Sequence, residues 1–351
     1  MDARLKAILM ALLAAALYGL SAPSAKLLLG EIPPLLLAAL LYLGAGVGML
    51  ALDLIHRLRQ PYQVEARLTR RELPFVIGMI ILDIAAPIFL MIALTLTTAA
   101  NASLLNNFEI VATTLIALLL FKEAIGRRMW LAIGLITLGS LLLSVADISS
   151  FSFSAGSLLV ILACLCWGLE NNCTRQLSSK DPQQIVVIKG FGSGLGALLI
   201  AIVKSQLKAQ LLYILLAMLL GFLAYGLSIY FYILAQRTLG AARTSAYYAA
   251  APFIGVLISI LIFGQKISGS FIAAAVLMVV GAFFAATEYH RHLHRHEPVT
   301  HEHRHSHTDG HHGHEHQQAA DQQTEHSHLH THEAVEHTHR HTPDTHHTHR
   351  H

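Results

Sequence analysis

The sequence predicts an all-α integral membrane protein. Ten transmembrane helices are expected as two inverted five-helix repeats, followed by a disordered, His-rich C-terminal tail. Three observations predict this class. Of the 351 residues, 54% are hydrophobic and 13% are charged, about half the charged share of an ordinary soluble domain. The histidines are segregated, because 23 of the 24 follow residue 289. Finally, two long apolar stretches resemble each other.

Ten apolar stretches are each close to the roughly 20 residues that a helix needs to cross a membrane. We call them spans 1 to 10, and they cover residues 5–29, 32–54, 73–96, 98–121, 129–146, 155–177, 182–203, 209–235, 241–263 and 269–288. The first is too long for a cleaved signal peptide. Proline removes a backbone donor, so Pro23, Pro87 and Pro252 are expected to break spans 1, 3 and 9.

The basic residues of the connections predict the orientation. Sixteen Lys and Arg lie on one side, and mainly four, Lys26, Lys204, Lys208 and Lys266, lie on the other. Connections rich in Lys and Arg stay in the cytoplasm. Both termini are therefore predicted to be cytoplasmic, in a multi-pass protein of the cell (inner or plasma) membrane.

The apolar part repeats itself. Residues 89–139 align without a gap onto 231–281, at a shift of 142, and 13 of the 51 positions are identical. Two glycine triplets, expected to permit close helix packing, match at a shift of 148: Gly44, Gly46 and Gly48 with Gly192, Gly194 and Gly196. The predicted units are residues 1–147, 148–289 and the tail, 290–351. Because each half has an odd number of spans, the second is inverted, as in secondary transporters.

Several short motifs carry a family resemblance. They are residues 17–21 (LYGLS) in span 1, 163–168 (ACLCWG) in span 6, 107–109 (NFE) and 120–123 (LFKE) in span 4, and 251–253 (APF) and 262–265 (IFGQ) in span 9. With these motifs the chain resembles the drug/metabolite transporter superfamily, in its ten-helix EamA group. Members usually have Glu-Pro in helix 4 and Gly-Glu after helix 9, where this chain has Ile110 and Gln265. The resemblance implies a cavity between helices 1, 3, 4, 6, 8 and 9, and the export of amino acids, other metabolites or toxic compounds.

Charged side chains inside the spans are the main candidates for function, because each costs roughly 2.5–3.5 kcal/mol at the centre of a bilayer. At helical spacing, Asn106 shares a face with Glu109, and Trp167 and Asn171 lie on the same face as Glu170. We predict that these polar residues, together with Asp83, bind a substrate or a coupling ion. Lys189 is predicted to be a structural charge partner, most obviously of Glu170. The alternative is that the carboxylates only form internal ion pairs.

Aromatic side chains are the second group of candidates. Tyr18, Trp167 and Tyr248 could line the cavity and stack on a substrate. Tyr18 and Trp167 occupy matching positions in the two halves. The alternative for each is packing within the bundle or at the membrane interface.

An enzyme is not expected. Residues 57–289 contain no His, so a membrane-embedded serine lacks that base and a catalytic zinc lacks its ligands. No phosphate-binding Gly-Lys-Ser/Thr loop is present, so transport would be driven by a gradient. No cofactor is required, and nucleic acid is not an expected partner.

The tail repeats His-x-His, which places alternate imidazoles on one side of an extended chain. Imidazole suits Zn, Cu and Ni. The tail could therefore bind these metals with low specificity. The first candidate ligands are His290, His292, His294, His296, His301, His303, His305 and His307.

Three functions remain open. The first is a secondary active transporter that exports a small cationic, zwitterionic or amino-acid-like metabolite by alternating access. The second is a transporter of a divalent metal or a metal–metabolite complex, with the tail as metal collector or sensor. The third is a membrane-anchored metal buffer. The expected partners are a small-molecule substrate, the lipid bilayer and, for the metal functions, a divalent metal. The protein is expected to be a monomer or a homodimer.

Overall fold

A computed structural model describes residues 3–59, 68–121, 125–147, 152–177, 180–239, 244, 247–264 and 267–287, and four strands of the tail. In these residues nine helices are long and apolar enough to cross a membrane, and a tenth, Ala251–Phe263, is shorter. The all-helical membrane fold is therefore confirmed.

Six spans are single helices. They are span 2 (Pro34–Arg59), span 3 (Leu73–Leu96, preceded by the 3-10 turn Arg70–Glu72), span 5 (Arg127–Ser144), span 6 (Ala155–Leu177), span 7 (Pro182–Val203) and span 10 (Gly269–Ala286). Their bounds agree with the predicted stretches to within a few residues. The apolar composition alone thus located them.

The other four spans are interrupted or short. Span 1 is Ala3–Gly19 and Ser21–Leu28, and span 4 is Ala99–Leu105 and Phe108–Phe121. Span 8 is Leu211–Gly221, the π-helical turn Phe222–Leu227 and Ser228–Leu239, and span 9 is described over Ala251–Phe263. Spans 1, 4, 8 and 9 therefore contain the irregular backbone of the bundle.

The predicted proline breaks have different outcomes. Span 1 is interrupted just before Pro23, and Pro252 lies in the first turn of its helix, where a missing N–H is tolerated. The predicted break at Pro87 is wrong, because Pro87 lies inside the continuous helix Leu73–Leu96. A helix survives there because proline removes one hydrogen bond, the one to the carbonyl oxygen of Asp83 four residues earlier.

The helices pack in a two-fold pattern. Span 1 packs on span 8, and span 6 packs on span 3. Spans 2 and 7, 4 and 9, and 5 and 10 pack on each other. If each span is exchanged for the span five places away along the chain, the same set of contacting pairs is obtained. Two five-helix repeats would produce this pattern, and the boundary between residues 147 and 148 remains a prediction.

The glycine triplets permit close helix contacts, as predicted. A Cβ atom added to Gly44 of span 2 would lie 2.0 Å from the carbonyl oxygen of Met218 in span 8. In the other half, a Cβ atom on Gly192 of span 7 would lie 2.6 Å from Cδ1 of Ile80 in span 3. The close contacts therefore follow the same two-fold exchange as the helix pairs.

Short strands lie outside the spans. Val145–Asp147 pairs with Ser152–Phe153 between spans 5 and 6. In the tail, where the sequence predicts disorder, His290–Arg295 pairs with Glu336–His341 and Val299–His305 pairs with His326–His332, both antiparallel. The His-x-His alternation matches the two-residue period of a strand. A two-stranded ladder alone is marginally stable at best in water, so this pairing does not amount to an independently stable unit.

Candidate functional site

A buried ion triad joins spans 3, 6 and 7. The Nζ atom of Lys189 lies 3.0 Å from Oδ2 of Asp83 and 2.9 Å from Oε1 of Glu170. The three residues are 7%, 0% and 2% exposed, respectively. The predicted pairing of Lys189 with Glu170 is therefore present, and Asp83 is a further partner that the sequence did not indicate.

Hydroxyl groups complete the triad. The hydroxyl of Tyr42 donates to Oδ1 of Asp83 at 2.9 Å, and Thr174 donates a short hydrogen bond to Oε1 of Glu170. Tyr42 belongs to span 2 and was missed by the sequence reasoning. It lies within a continuous apolar stretch, and its contact with Asp83 depends on how spans 2 and 3 pack.

Glu109 has a different environment. It is the second residue of the helix Phe108–Phe121, after the break in span 4, and it is half-buried. The Nδ2 atom of Asn171 donates to Oε1 of Glu109 at 2.7 Å and to Oγ1 of Thr113 at 3.2 Å. No Lys or Arg among the described residues lies within ion-pair distance of this carboxylate.

The break in span 4 positions Glu109. The first helix ends at Leu105, Asn106 and Asn107 form a turn, and the backbone N–H of Glu109 bonds to the carbonyl oxygen of Asn106 at 3.0 Å. Asn106 is 9% exposed, and its Oδ1 accepts a weak contact from Sγ of Cys164 at 3.9 Å. The turn gives Glu109 a place in the first turn of a helix, where a negative charge is favoured.

Tyrosine rings form a continuous group next to these carboxylates. Tyr18 lies between Tyr225 and Tyr248, with ring centroids 6.0 and 5.8 Å apart. Tyr225 also lies 5.3 Å from Tyr42, and Tyr248 lies 5.0 Å from Tyr232. We call these five side chains the tyrosine cluster. They come from spans 1, 2 and 8 and from the residues just before the helix Ala251–Phe263.

The tyrosine cluster and the carboxylates are electrostatic neighbours. The hydroxyls of Tyr18, Tyr225 and Tyr248 lie within electrostatic range of the Glu109 carboxylate. The carboxylate also interacts with Glu170 and Lys189 of the triad. Trp167 is 5% exposed and packs in the apolar core, and its side chain hydrogen-bonds to Tyr42 of the cluster. Its predicted contact with a substrate stays a prediction.

The backbone of span 8 positions Tyr225. This residue lies in the π-helical turn Phe222–Leu227, a rare irregularity that is frequent at functional sites. Its hydroxyl lies 2.8 Å from Oγ of Ser21, at the break in span 1. Two interrupted helices thus meet through one buried hydrogen bond.

The triad has a counterpart in the other half. If the shift of 142 is continued six residues before the aligned block, Asp83 corresponds to Tyr225, and at the shift of 149 between the starts of the two halves, Glu170 corresponds to Ser21. The Ser21–Tyr225 hydrogen bond between spans 1 and 8 therefore occupies the place that the Glu170–Lys189–Asp83 contact has between spans 6 and 3. Tyr42 contacts both sets, through its hydroxyl and its ring.

Metal ligands are not assembled in the bundle. Among the residues whose side chains are described, there is no group of three or more His, Cys, Asp or Glu that could hold a metal ion. Of the predicted tail ligands, His296 and His307 lie outside the described residues, and for the other six the structure describes the backbone strands.

Comparison with known proteins identifies the fold family. The model of the EamA-like transporter family matches residues 5–145 and again residues 154–287. An uncharacterized transporter of Methanothermobacter thermautotrophicus is 26% identical over 282 residues, which cover 76% of this chain and 82% of that protein.

A crystal structure of a protein of 21% sequence identity superposes with a TM-score of 0.59 and covers 80% of this chain and 95% of its own. At that identity the likeness concerns the fold alone.

Proposed function

The chain belongs to the EamA-like transporter family, and from this we propose that it is a secondary active exporter of a small cationic or zwitterionic metabolite. The substrate would be an amine or an amino-acid-like molecule, and Glu109 would bind its ammonium group. Membrane transport follows from the family. The substrate class, the direction and the role of Glu109 are the proposal.

The main support for this proposal is the environment of Glu109. This carboxylate is half-buried, is held by the amide of Asn171, and has no ion-pair partner among the described residues. The hydroxyls of Tyr18 and Tyr248 lie within electrostatic range of it. A site that combines a carboxylate with aromatic rings attracts an ammonium group through the charge and, at a ring face, through cation–π contact, which is worth about 0.5–2 kcal/mol.

The triad is less suited to bind the substrate ammonium. Its two carboxylates already share the ammonium of Lys189, at 3.0 and 2.9 Å. A substrate would have to displace a buried lysine to reach them. Of the three carboxylates at this site, Asp83, Glu109 and Glu170, Glu109 is therefore the one left for the substrate.

The irregular helices support alternating access. The breaks at Leu20 and at Asn106–Asn107 and the π-helical turn all adjoin the candidate site. In transporters built from inverted repeats, interrupted helices surround the substrate, and one repeat rocks against the other. We therefore propose that the two halves move about the tyrosine cluster and the carboxylates.

A transport assay tests the proposal. Purified full-length protein in liposomes would be screened with radiolabelled amino acids, diamines and quaternary amines, with and without a pH gradient. We expect one of these amines to be exchanged, and Glu109→Gln to abolish that exchange. The matched control is Glu31→Gln, at an exposed position. Uptake by Glu109→Gln at the wild-type rate would refute the role of this carboxylate.

The orientation is part of the proposal. The basic residues support cytoplasmic termini in the cell membrane, with Lys208 on the opposite side. A cysteine introduced at Lys208 should react with an impermeant thiol reagent added to intact cells, and one introduced at Thr308 should not. Reaction of the second cysteine would reverse the proposed orientation. Export would then be tested by loading the substrate into oriented vesicles.

Metal binding by the tail is the second candidate function. What supports it is the backbone register, which places His301 opposite His330 and His303 opposite His328. Directly opposite residues share a face, with Cβ atoms about 4.5–5.5 Å apart, so four imidazoles could hold one Zn²⁺ ion.

Zinc stoichiometry of the full chain tests this candidate. If one ion is shared, changing His301 and His303 to Gln should remove the same ion as changing His328 and His330, and changing all four should remove no more. Additive losses would indicate independent sites on the two strands. A full chain that binds no Zn²⁺ would eliminate the metal function altogether.

A further inference from the structure

We propose that the ion coupled to transport is a proton, and that it binds to the Asp83–Glu170 carboxylate pair rather than to the carboxylate assigned to the substrate. The use of this proton to drive transport rests on the proposed function. Its binding rests on the geometry of the triad alone.

The first argument is the charge of the triad. Asp83 and Glu170 carry two negative charges when ionised, and Lys189 carries one positive charge. All three are buried, with exposures of 0%, 2% and 7%. An uncompensated charge in a site of this kind is costly. One bound proton makes the triad neutral.

The second argument is that few donors surround Asp83. Oδ1 of Asp83 accepts the hydrogen bond from Tyr42, and Oε1 of Glu170 accepts hydrogen bonds from Lys189 and Thr174. Oδ2 of Asp83 is fully buried and lies 3.0 Å from Nζ of Lys189, with no other partner among the described residues. An ionised carboxylate can accept about four hydrogen bonds, so a buried carboxylate with so few donors is stabilised by gaining a proton.

The third argument separates a proton from a metal cation. The ammonium of Lys189 already lies within 3.0 Å of both carboxylates, in the place that a sodium ion would need. A metal cation would have to displace it and would bring two positive charges close together. A proton needs no such space, since it binds to an oxygen that is already there.

The other groups around the pair leave this charge count unchanged. Besides Lys189, the described groups within electrostatic range of Asp83 or Glu170 include Tyr42 of span 2, Glu109 of span 4, Cys166 and Cys173 of span 6, and Tyr225 of span 8. Tyrosine and cysteine side chains are ordinarily neutral near neutral pH. Glu109 adds negative charge, which favours a bound proton further.

The separation of the two sites gives a coupling mechanism. Glu170 and Glu109 interact electrostatically, and Asn171, which holds Glu109, is the next residue after Glu170. When Asp83 gains a proton, negative charge near Glu109 decreases, and an ammonium bound there is held less tightly. By linkage, a bound ammonium also weakens proton binding. One proton would enter as one monovalent cation leaves.

Infrared spectroscopy of the reconstituted full chain, without any substrate, tests the proton site. Protonated carboxyl groups have a distinct carbonyl-stretch band, which is followed as pH is raised. We expect a band from a buried carboxyl in the wild type, in Glu109→Gln and in the exposed control Glu31→Gln. We expect its loss in both Asp83→Asn and Glu170→Gln, because either change removes the excess charge. Survival of the band in either variant, or its loss in Glu109→Gln alone, would overturn the proposal.

A milder variant tests the proton site if Asp83→Asn and Glu170→Gln fail to fold. Tyr42→Phe leaves all charges of the triad in place and removes one hydrogen bond to Asp83. The band should keep its amplitude and change its frequency. An unchanged frequency would place the proton elsewhere. Since no substrate is present, failure here leaves the proposed role of Glu109 in substrate binding untouched.

Discussion

The two halves of the bundle share one packing pattern but differ in chemistry at equivalent positions. The shift of 142, continued six residues before the aligned block, pairs Asp83 of span 3 with Tyr225 of span 8, and within the block it pairs Asn106 of span 4 with Tyr248, just before the helix Ala251–Phe263. At these two positions the first half has a carboxylate and an amide where the second has tyrosines, whereas at the shift of 149 the second half has Glu170 where the first has Ser21. The scaffold is symmetric, and the site built on it is not.

This difference places the three carboxylates on spans 3, 4 and 6, whereas the corresponding positions of spans 8, 9 and 1 are uncharged. The helix contacts require only small or apolar residues, and both halves supply them at Gly44 and Gly192. The polar groups have no such duplicate. Glu109 and the triad can therefore have different tasks even though the helices around them are related by a two-fold exchange.

The largest expected effect is the loss of Lys189. In Lys189→Met, two buried carboxylates lose their shared partner, and breaking such a pair costs about 3–5 kcal/mol. Thermal unfolding in detergent should show a clear decrease in stability. The matched control is Lys204→Met, at the exposed end of the same helix. Equal stability of the two variants would show that the triad does not hold spans 3, 6 and 7 together.

Asn171 should matter for the substrate rather than for the fold. Its amide donates to the Glu109 carboxylate at 2.7 Å, and hydrogen bonds to charged groups contribute about 1.5–3 kcal/mol. Asn171→Ala should weaken substrate binding, measured by equilibrium binding of the amine found in the screen. The neighbouring Asn172 donates to the backbone carbonyls of Thr113 and Gly168, so Asn172→Ala should affect stability instead. Lower stability of Asn171→Ala together with weaker substrate binding by Asn172→Ala would contradict the roles assigned to these two residues.

Substitutions of Gly44 and Gly192 allow the helix packing of the two halves to be compared directly. A methyl group on Gly44 meets a backbone oxygen at 2.0 Å, and one on Gly192 meets a side chain that can move. Gly44→Ala should therefore destabilise the protein by about 1–3 kcal/mol, and Gly192→Ala by less. Gly134, with no atom within 4 Å of an added Cβ, is the control, and Gly134→Ala should be neutral or stabilising. Similar losses for all three would disprove the packing argument.

The smallest expected effect is that of the Tyr225 hydroxyl. Tyr225→Phe keeps the ring and loses one neutral hydrogen bond, to Ser21, which contributes about 0.5–1.5 kcal/mol. Thermal unfolding should detect this small decrease, and Ser21→Ala should produce a similar one. Because both remove the same bond, the double variant should lose little more than either. Fully additive losses would mean that the two hydroxyls have separate partners.

The spans and their arrangement as two repeats could largely be predicted, because a bilayer requires long apolar helices and the two halves repeat in sequence. The irregular backbone could only partly be predicted. Pro23 marks a break, but Pro87 does not, and the interruption that positions Glu109 lies at Asn106 and Asn107. A proline costs one hydrogen bond, which a buried helix can absorb, and no local rule singles out these two asparagines.

The candidate residues were found more readily than their partners. Buried charges are few in an apolar chain, so Asp83, Glu109, Glu170 and Lys189 could be singled out from the sequence. The bridging position of Lys189 and the hydrogen bond from Tyr42 depend on how four helices approach one another. Such distances are set by tertiary packing, which a single sequence does not encode in any local pattern.

The most direct test of the central claim, that substrate and proton use different carboxylates, is a transport measurement on reconstituted protein. Exchange of the labelled amine across vesicles without a pH gradient would be compared with its accumulation driven by a gradient. The account predicts that Glu109→Gln loses both activities, whereas Asp83→Asn keeps exchange and loses driven accumulation. Loss of exchange in folded Asp83→Asn, or driven accumulation in Glu109→Gln, would contradict it.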